Sequence, residues 1–172
     1  MKKSMYKYIQ KQDLPYIILV SILGCLNHFL YEWFHGSAFI ALFCPVNESV
    51  WEHLKLLYFP FFFISIGLYI VKRPNILPFF YYRFLAVMYG MIFIVVSFYT
   101  YTGIIGTHLL FMDLLIYFFS VFLTFYLCTL FQEHRLKVPP QNVVFSLWIA
   151  VALCFFVFSC LPPNTGLFFP ME

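Results

Sequence analysis

The sequence predicts an all-α integral membrane protein. It is a single domain of about five transmembrane helices, N-terminus inside and C-terminus outside, with a short interfacial or re-entrant segment between the first two. Three observations predict it. Of 172 residues, 63% are hydrophobic and only 10% are charged, against about 25% charged in soluble domains; no core of this size absorbs so much apolar surface, so lipid must solvate much of it. Five apolar runs each reach the ~20 residues that a bilayer crossing needs. Eight of the ten Lys and Arg fall in three segments that alternation over five spans places on one side, the cytoplasmic side by the positive-inside rule.

The elements follow in order. Met1 to Asp13 is polar and basic, with Lys2, Lys3, Lys7 and Lys11. The first helix covers 14–34. Its basic start and the stretch Ile22-Leu23-Gly24-Cys25 also suit a lipoprotein signal, but Leu23 fits that box poorly and the apolar run continues past Cys25 for a full span, so the helix is read as retained. Ser37 to Val46 is apolar, too short to cross, and bounded by Gly36 and Pro45. The second helix covers 49–71, with a capping box at Ser49 and Glu52 and an expected kink at Pro60. A tight turn at Lys72 to Asn75 leads to the third helix, 77–101. The Gly-containing turn Thr102 to Gly106 leads to the fourth, 107–131. A polar loop with Pro139-Pro140 precedes the fifth, 142–161, and the tail carries three prolines and reads as irregular. Trp33 and Trp51 read as interfacial anchors. Cys25, Cys44, Cys128, Cys154 and Cys160 form no CxxC pair or zinc-ribbon spacing and read as small apolar residues, with a Cys44–Cys160 disulfide left open.

The ionisable residues gather at one end of this topology. Glu32, His35, Glu48, Glu52, His53, Lys55, His108 and Asp113 all fall in the outer part, as do Asn27 and His28. At about 1.5 Å rise per residue, His28, Lys55 and Asp113 lie roughly 7–10 Å from the outer helix ends. His28, Glu32 and His35 share one face of the first helix, and Glu48, Glu52 and Lys55 share one on the second. Charges facing lipid cost several kcal/mol each, so these faces are expected to meet in one polar pocket. Arg83, in the inner half, is expected to snorkel to the headgroups.

Four carboxylates against Lys55 favour a cation or protons over an anion. Histidine with carboxylate suits a divalent metal such as zinc. The expected ligands are His28, Glu32, His108 and Asp113, with Glu52 as general base or a further ligand and Lys55 as stabiliser of an oxyanion. The bland reading is also physical: Glu52–Lys55 as a local ion pair, and Asp113 as polar glue between helices.

Cys44-Pro45-Val46-Asn47-Glu48-Ser49-Val50-Trp51-Glu52-His53-Leu54-Lys55, together with Asn27-His28-Phe29-Leu30-Tyr31-Glu32, resembles the signature of a small family of bacterial membrane proteins, mostly from Gram-positive anaerobes. The resemblance covers the whole chain, implies a bacterial plasma-membrane location, and marks Asn47, Glu48, Trp51, Glu52, His53 and Lys55 as motif positions. It implies no activity. A looser similarity is to membrane hydrolases that hold zinc between helices, such as alkaline ceramidases, whose His and Asp ligands are echoed by His28, His108 and Asp113 without the full histidine pattern.

Three functions stay open. The first is a metal-dependent membrane enzyme of hydrolase type, acting on a lipid or cell-envelope substrate. The second is a proton- or cation-coupled transporter, against which the inner half offers few polar steps. The third is a non-catalytic partner or assembly factor. The lipid bilayer is the expected environment, nucleic acid is excluded by the absence of a basic patch, and oligomerisation is left open.

Overall fold

In hydrocarbon, backbone N–H and C=O groups have no water to bond, so a spanning segment must satisfy them within itself. The computed structural model describes residues 12–170, so the basic N-terminal segment with Lys2, Lys3, Lys7 and Lys11 lies outside the described residues. The described chain forms α1 (Leu14–Trp33), α2 (Ala38–Ala41), α3 (Val50–Lys72), α4 (Ile76–Ile105), α5 (Leu110–His134), α6 (Gln141–Cys160) and a 3-10 turn at Gly166–Phe168. Five of these helices are long and apolar enough to cross a membrane. The one extended pairing among the described residues is an isolated bridge between Ser49 and Pro170.

Three boundaries differ from expectation, one of them the end of the fourth spanning helix, which runs on to His134. The third spanning helix runs on to Ile105, because Thr102 is buried and bonds back to the Phe98 carbonyl at 2.8 Å instead of opening a turn. Gly106, at φ 85°, then ends it with its N–H on the Thr102 carbonyl. The next helix starts only at Leu110, leaving His108 in the connection.

α3 is the central post and touches α1, α4, α5, α6 and the 3-10 turn. Its most apolar window is 56% buried, against 17–39% in the other four, which turn most of their surface outward. Ile92, Val96, Phe119 and Ile149 are exposed apolar residues of that surface, and they suit lipid.

α3 continues through Pro60, and the missing N–H at Pro60 leaves the Leu56 carbonyl without its helix partner. The Tyr117 hydroxyl of α5 lies 3.5 Å from that oxygen, and 3.1 Å and 3.4 Å from the Val20 and Ser21 carbonyls of α1. Three helices thus meet at one phenol. Gly24 makes room for it: a Cβ there would lie 1.8 Å from the Tyr117 oxygen and 2.6 Å from the Leu56 oxygen. On the other side of α3, Tyr58 donates to the Trp148 carbonyl at 2.7 Å, and Trp148 donates to the Phe80 carbonyl at 3.2 Å, tying α3, α6 and α4.

Arg83 does not snorkel. It is buried, its Nε donates to Ser65 at 2.7 Å, and its guanidinium sits 4.6 Å from the Phe61 ring centre and 5.1 Å from that of Phe79. A weakly hydrated planar cation is well served by aromatic faces, which makes the inward rotamer competitive with the headgroup region.

Candidate functional site

The site lies at the end of the bundle where α1 ends and α3 and α5 begin, called here the His28 end. Its foundation is the connection between α2 and α3. Lys55 Nζ lies 2.8 Å from Glu52 Oε2, and both side chains are fully or almost fully buried. The same ammonium donates to the Ala41 and Cys44 carbonyls at 2.9 Å and 3.3 Å. Glu52 accepts from the Val46 N–H at 3.0 Å and from the Ser159 hydroxyl of α6. Asn27 of α1 donates to the Phe43 carbonyl at 2.9 Å and accepts from the Cys44 thiol. The connection is therefore stapled from α1, α3 and α6, as buried polar groups require. Burial pushes the Cys44 thiol up to about 11, against the pull of Lys55, so it stays a protonated donor. All five cysteines are free, so the Cys44–Cys160 option is not used.

Half of the expected capping box forms. Ser49 Oγ accepts from the Glu52 N–H at 3.3 Å. The reciprocal bond is replaced: Asn47 Oδ1 accepts from the Ser49 N–H at 2.9 Å, because Glu52 is turned toward Val46 and Lys55.

This frame delivers Glu48 to two histidines. Glu48 Oε2 lies 3.5 Å from His28 Nε2 of α1 and 3.4 Å from His53 Nε2 of α3. One ligand atom from each of the three residues lies within 4.8 Å of the other two. His53 Nδ1 is 2.8 Å from the Ser49 carbonyl, which can only accept, so Nδ1 carries the proton and the neutral ring turns its lone pair on Nε2 toward Glu48. A lone pair and a carboxylate oxygen facing each other need a cation between them, either a proton or a metal ion. Where that cation is a proton, the hydrogen bond it lets His53 donate is the main cause that holds the Glu48 carboxyl at about 2, against a smaller opposing effect of burial.

These three residues border a cavity of about 540 Å³. His108 and Asp113 border it too, with His108 Nδ1 3.4 Å from Asp113 Oδ2. Asp113 is further held by the Tyr101 hydroxyl, which itself accepts from the Leu109 N–H at 3.2 Å. Below this polar rim the lining is apolar, with Leu56, Ile94, Phe98 and Ile116, and Tyr117 at the base.

Of the residues singled out from the sequence, His28, His108 and Asp113 border one cavity, with only His28 in the three-residue ligand group. Glu32 is exposed on α1 and is not part of its lining. Glu52 and Lys55 are turned into the α2–α3 staple and border the cavity nowhere. Asn47 serves the turn into α3. Trp51 packs against Phe155 and Phe168 at 4.9 Å and 5.0 Å between ring centres. Trp33 is exposed and stacks on Phe29 at 6.0 Å. Sequence reasoning marked Glu48 and His53 as motif positions without giving them ligand roles. The signal was the 100° between neighbours on a helix: if Glu52 faces α6, His53 must face α1.

No curated protein and no solved structure matches the chain. A family profile, that of a family of unknown function designated DUF6512, matches residues 1–171. The chain, with its five apolar helices and its histidine and carboxylate rim, belongs to the family DUF6512.

Proposed function

We propose that the protein is a metal-dependent enzyme of the bacterial plasma membrane, of hydrolase type, that binds a divalent metal such as zinc through His28, Glu48 and His53 and acts on a lipid or envelope amphiphile. The observation that carries this reading is the mutual approach of three ligand atoms to within 4.8 Å, one of them on a ring already oriented by the Ser49 carbonyl. Two histidines and a carboxylate are a donor set that suits zinc and leaves a position for water. The distribution of basic residues in the sequence supports an outside location for the His28 end, where an amphiphile would present its polar bonds.

A divalent metal held by His28, Glu48 and His53 would supply a bound water acidic near neutral pH. His108, paired with Asp113 on the same cavity, would take that proton and pass it to the leaving oxygen of an ester or the leaving nitrogen of an amide. Glu52 and Lys55 act as positioning residues in this reading, since they hold the segment that carries Glu48. A carrier is less well supported, because the cavity ends on Tyr117 and the buried core below it.

The test is elemental analysis of the protein purified in mild detergent without chelator. About one equivalent of a transition metal is expected in wild type, with affinity lowered by more than about a hundredfold in His28→Ala and His53→Ala, beyond the ~10–100-fold that loss of an outer-sphere partner costs. A metal-free wild type whose unfolding temperature does not move on adding zinc sinks the reading.

A further inference from the structure

The cavity has a shape that its chemistry alone does not use. α1 and α5 touch where Tyr117 meets the Val20 and Ser21 carbonyls. Toward the His28 end, the cavity is walled by Phe29 of α1 and by Leu110 and Leu114 of α5, which are 48%, 73% and 41% exposed. Residues that both line a cavity and face outward mark a side opening, so the crevice between α1 and α5 opens on the lipid side. Its inner wall is different. Leu56 of α3 and Ile94 of α4 are buried at 7% and 9% exposure, and Tyr117 at 9% closes the base.

We infer that this crevice takes one acyl chain of an amphiphile, admitted sideways from the bilayer between α1 and α5, with its head at the His28–Glu48–His53 rim and its chain running down to Tyr117. This rests on the amphiphile reading of the same cavity, and it adds the route, the orientation and the depth. A volume of about 540 Å³ is of ligand size. Leu56 lies about 9 Å and Ile94 about 17 Å from the His28 ends of their helices, at ~1.5 Å per residue. An extended chain advances about 1.3 Å per carbon, given C–C bonds of ~1.5 Å, so roughly 7–13 carbons reach that wall. The polar groups on the rim suit an oxygen-bearing head, and the apolar wall below offers nothing to a second head group.

Wild-type protein in phosphatidylcholine nanodiscs, photolysed with a fatty acid carrying a diazirine about ten carbons from its carboxyl, tests the inference by peptide mass mapping. Adducts are expected on Leu56, Ile94 or Tyr117, displaced by excess unlabelled fatty acid. Leu114→Trp, a change at the exposed mouth, is expected to lower those adducts several-fold with the unfolding temperature kept. Adducts confined to lipid-facing residues such as Ile92 and Val96, in wild type and variant alike, overturn it. The experiment is run before and after chelation. Core adducts that persist in metal-free protein uphold the chain site even where metal analysis has refuted the enzyme, and core adducts that need metal uphold both.

Discussion

Lys55→Met is expected to lower stability by about 3–5 kcal/mol, the loss that follows when one partner of a buried ion pair is removed. The variant leaves Glu52 buried with its charge uncompensated, and it strips the Ala41 and Cys44 carbonyls of their donor. Glu52→Gln combined with Lys55→Met is expected to be less damaging than Lys55→Met alone, since no bare charge remains and the amide oxygen still accepts from Val46 or Ser159. Thermal unfolding in detergent of the two singles and the double decides it. A double variant as unstable as the summed singles shows no coupling, and the pair is then not the staple described. Because the stapled segment carries Glu48, metal binding is expected to weaken in parallel with stability.

The second large effect belongs to a residue with no side chain. Gly24→Ala is expected to cost about 3 kcal/mol, the upper end of the overpacking range, because one of the two obstacles is backbone and cannot rotate away. The added methyl would sit 1.8 Å from the Tyr117 oxygen and 2.6 Å from the Leu56 carbonyl oxygen. Tyr117→Phe in the same chain is expected to restore only part of the loss, since the ring carbon bearing the hydroxyl is itself 2.7 Å from the methyl position. Gly103→Ala is the control: nothing lies within 4 Å of its added methyl, so the change is expected to be neutral or stabilising by about 0.5–1 kcal/mol through helix propensity. Unfolding curves in which Gly24→Ala tracks Gly103→Ala would refute the close approach of α1 to α3.

Much of this was legible in the residues. Composition and run length were enough for five apolar helices, because hydropathy over ~20 residues is set by the solvent and hardly depends on neighbours. The cluster at one end was legible from the positions of His28, Glu48, Asp113 and their fellows along those runs. The pairing within the cluster was not. Glu32 shares a helix face with His28, yet it is exposed, while Glu48, outside any spanning helix, reaches His28 because the stapled connection folds back. That fold-back depends on contacts between residues far apart in sequence, such as Glu52 with Ser159, which no local periodicity encodes. Arg83 misled for a related reason. Snorkelling is the choice of a cation with only lipid beside it, whereas Phe61 and Phe79 come to it from α3 and from its own helix.

The wall around His28 has an order of assembly written into it. Its lining starts at Cys25 in the first long helix and includes Pro170, whose backbone bridges to Ser49 at the start of α3. Glu52 completes its set of bonds only when Ser159 of the last long helix arrives. A chain still emerging from the ribosome, with α1 to α5 already inserted, would hold His28, Glu48 and His53 in a half-built frame with one carboxylate oxygen unanswered. The mutual approach of His28, Glu48 and His53 is thus among the last things this protein acquires during synthesis, and an arrested or truncated chain would be sequestered in the membrane without it.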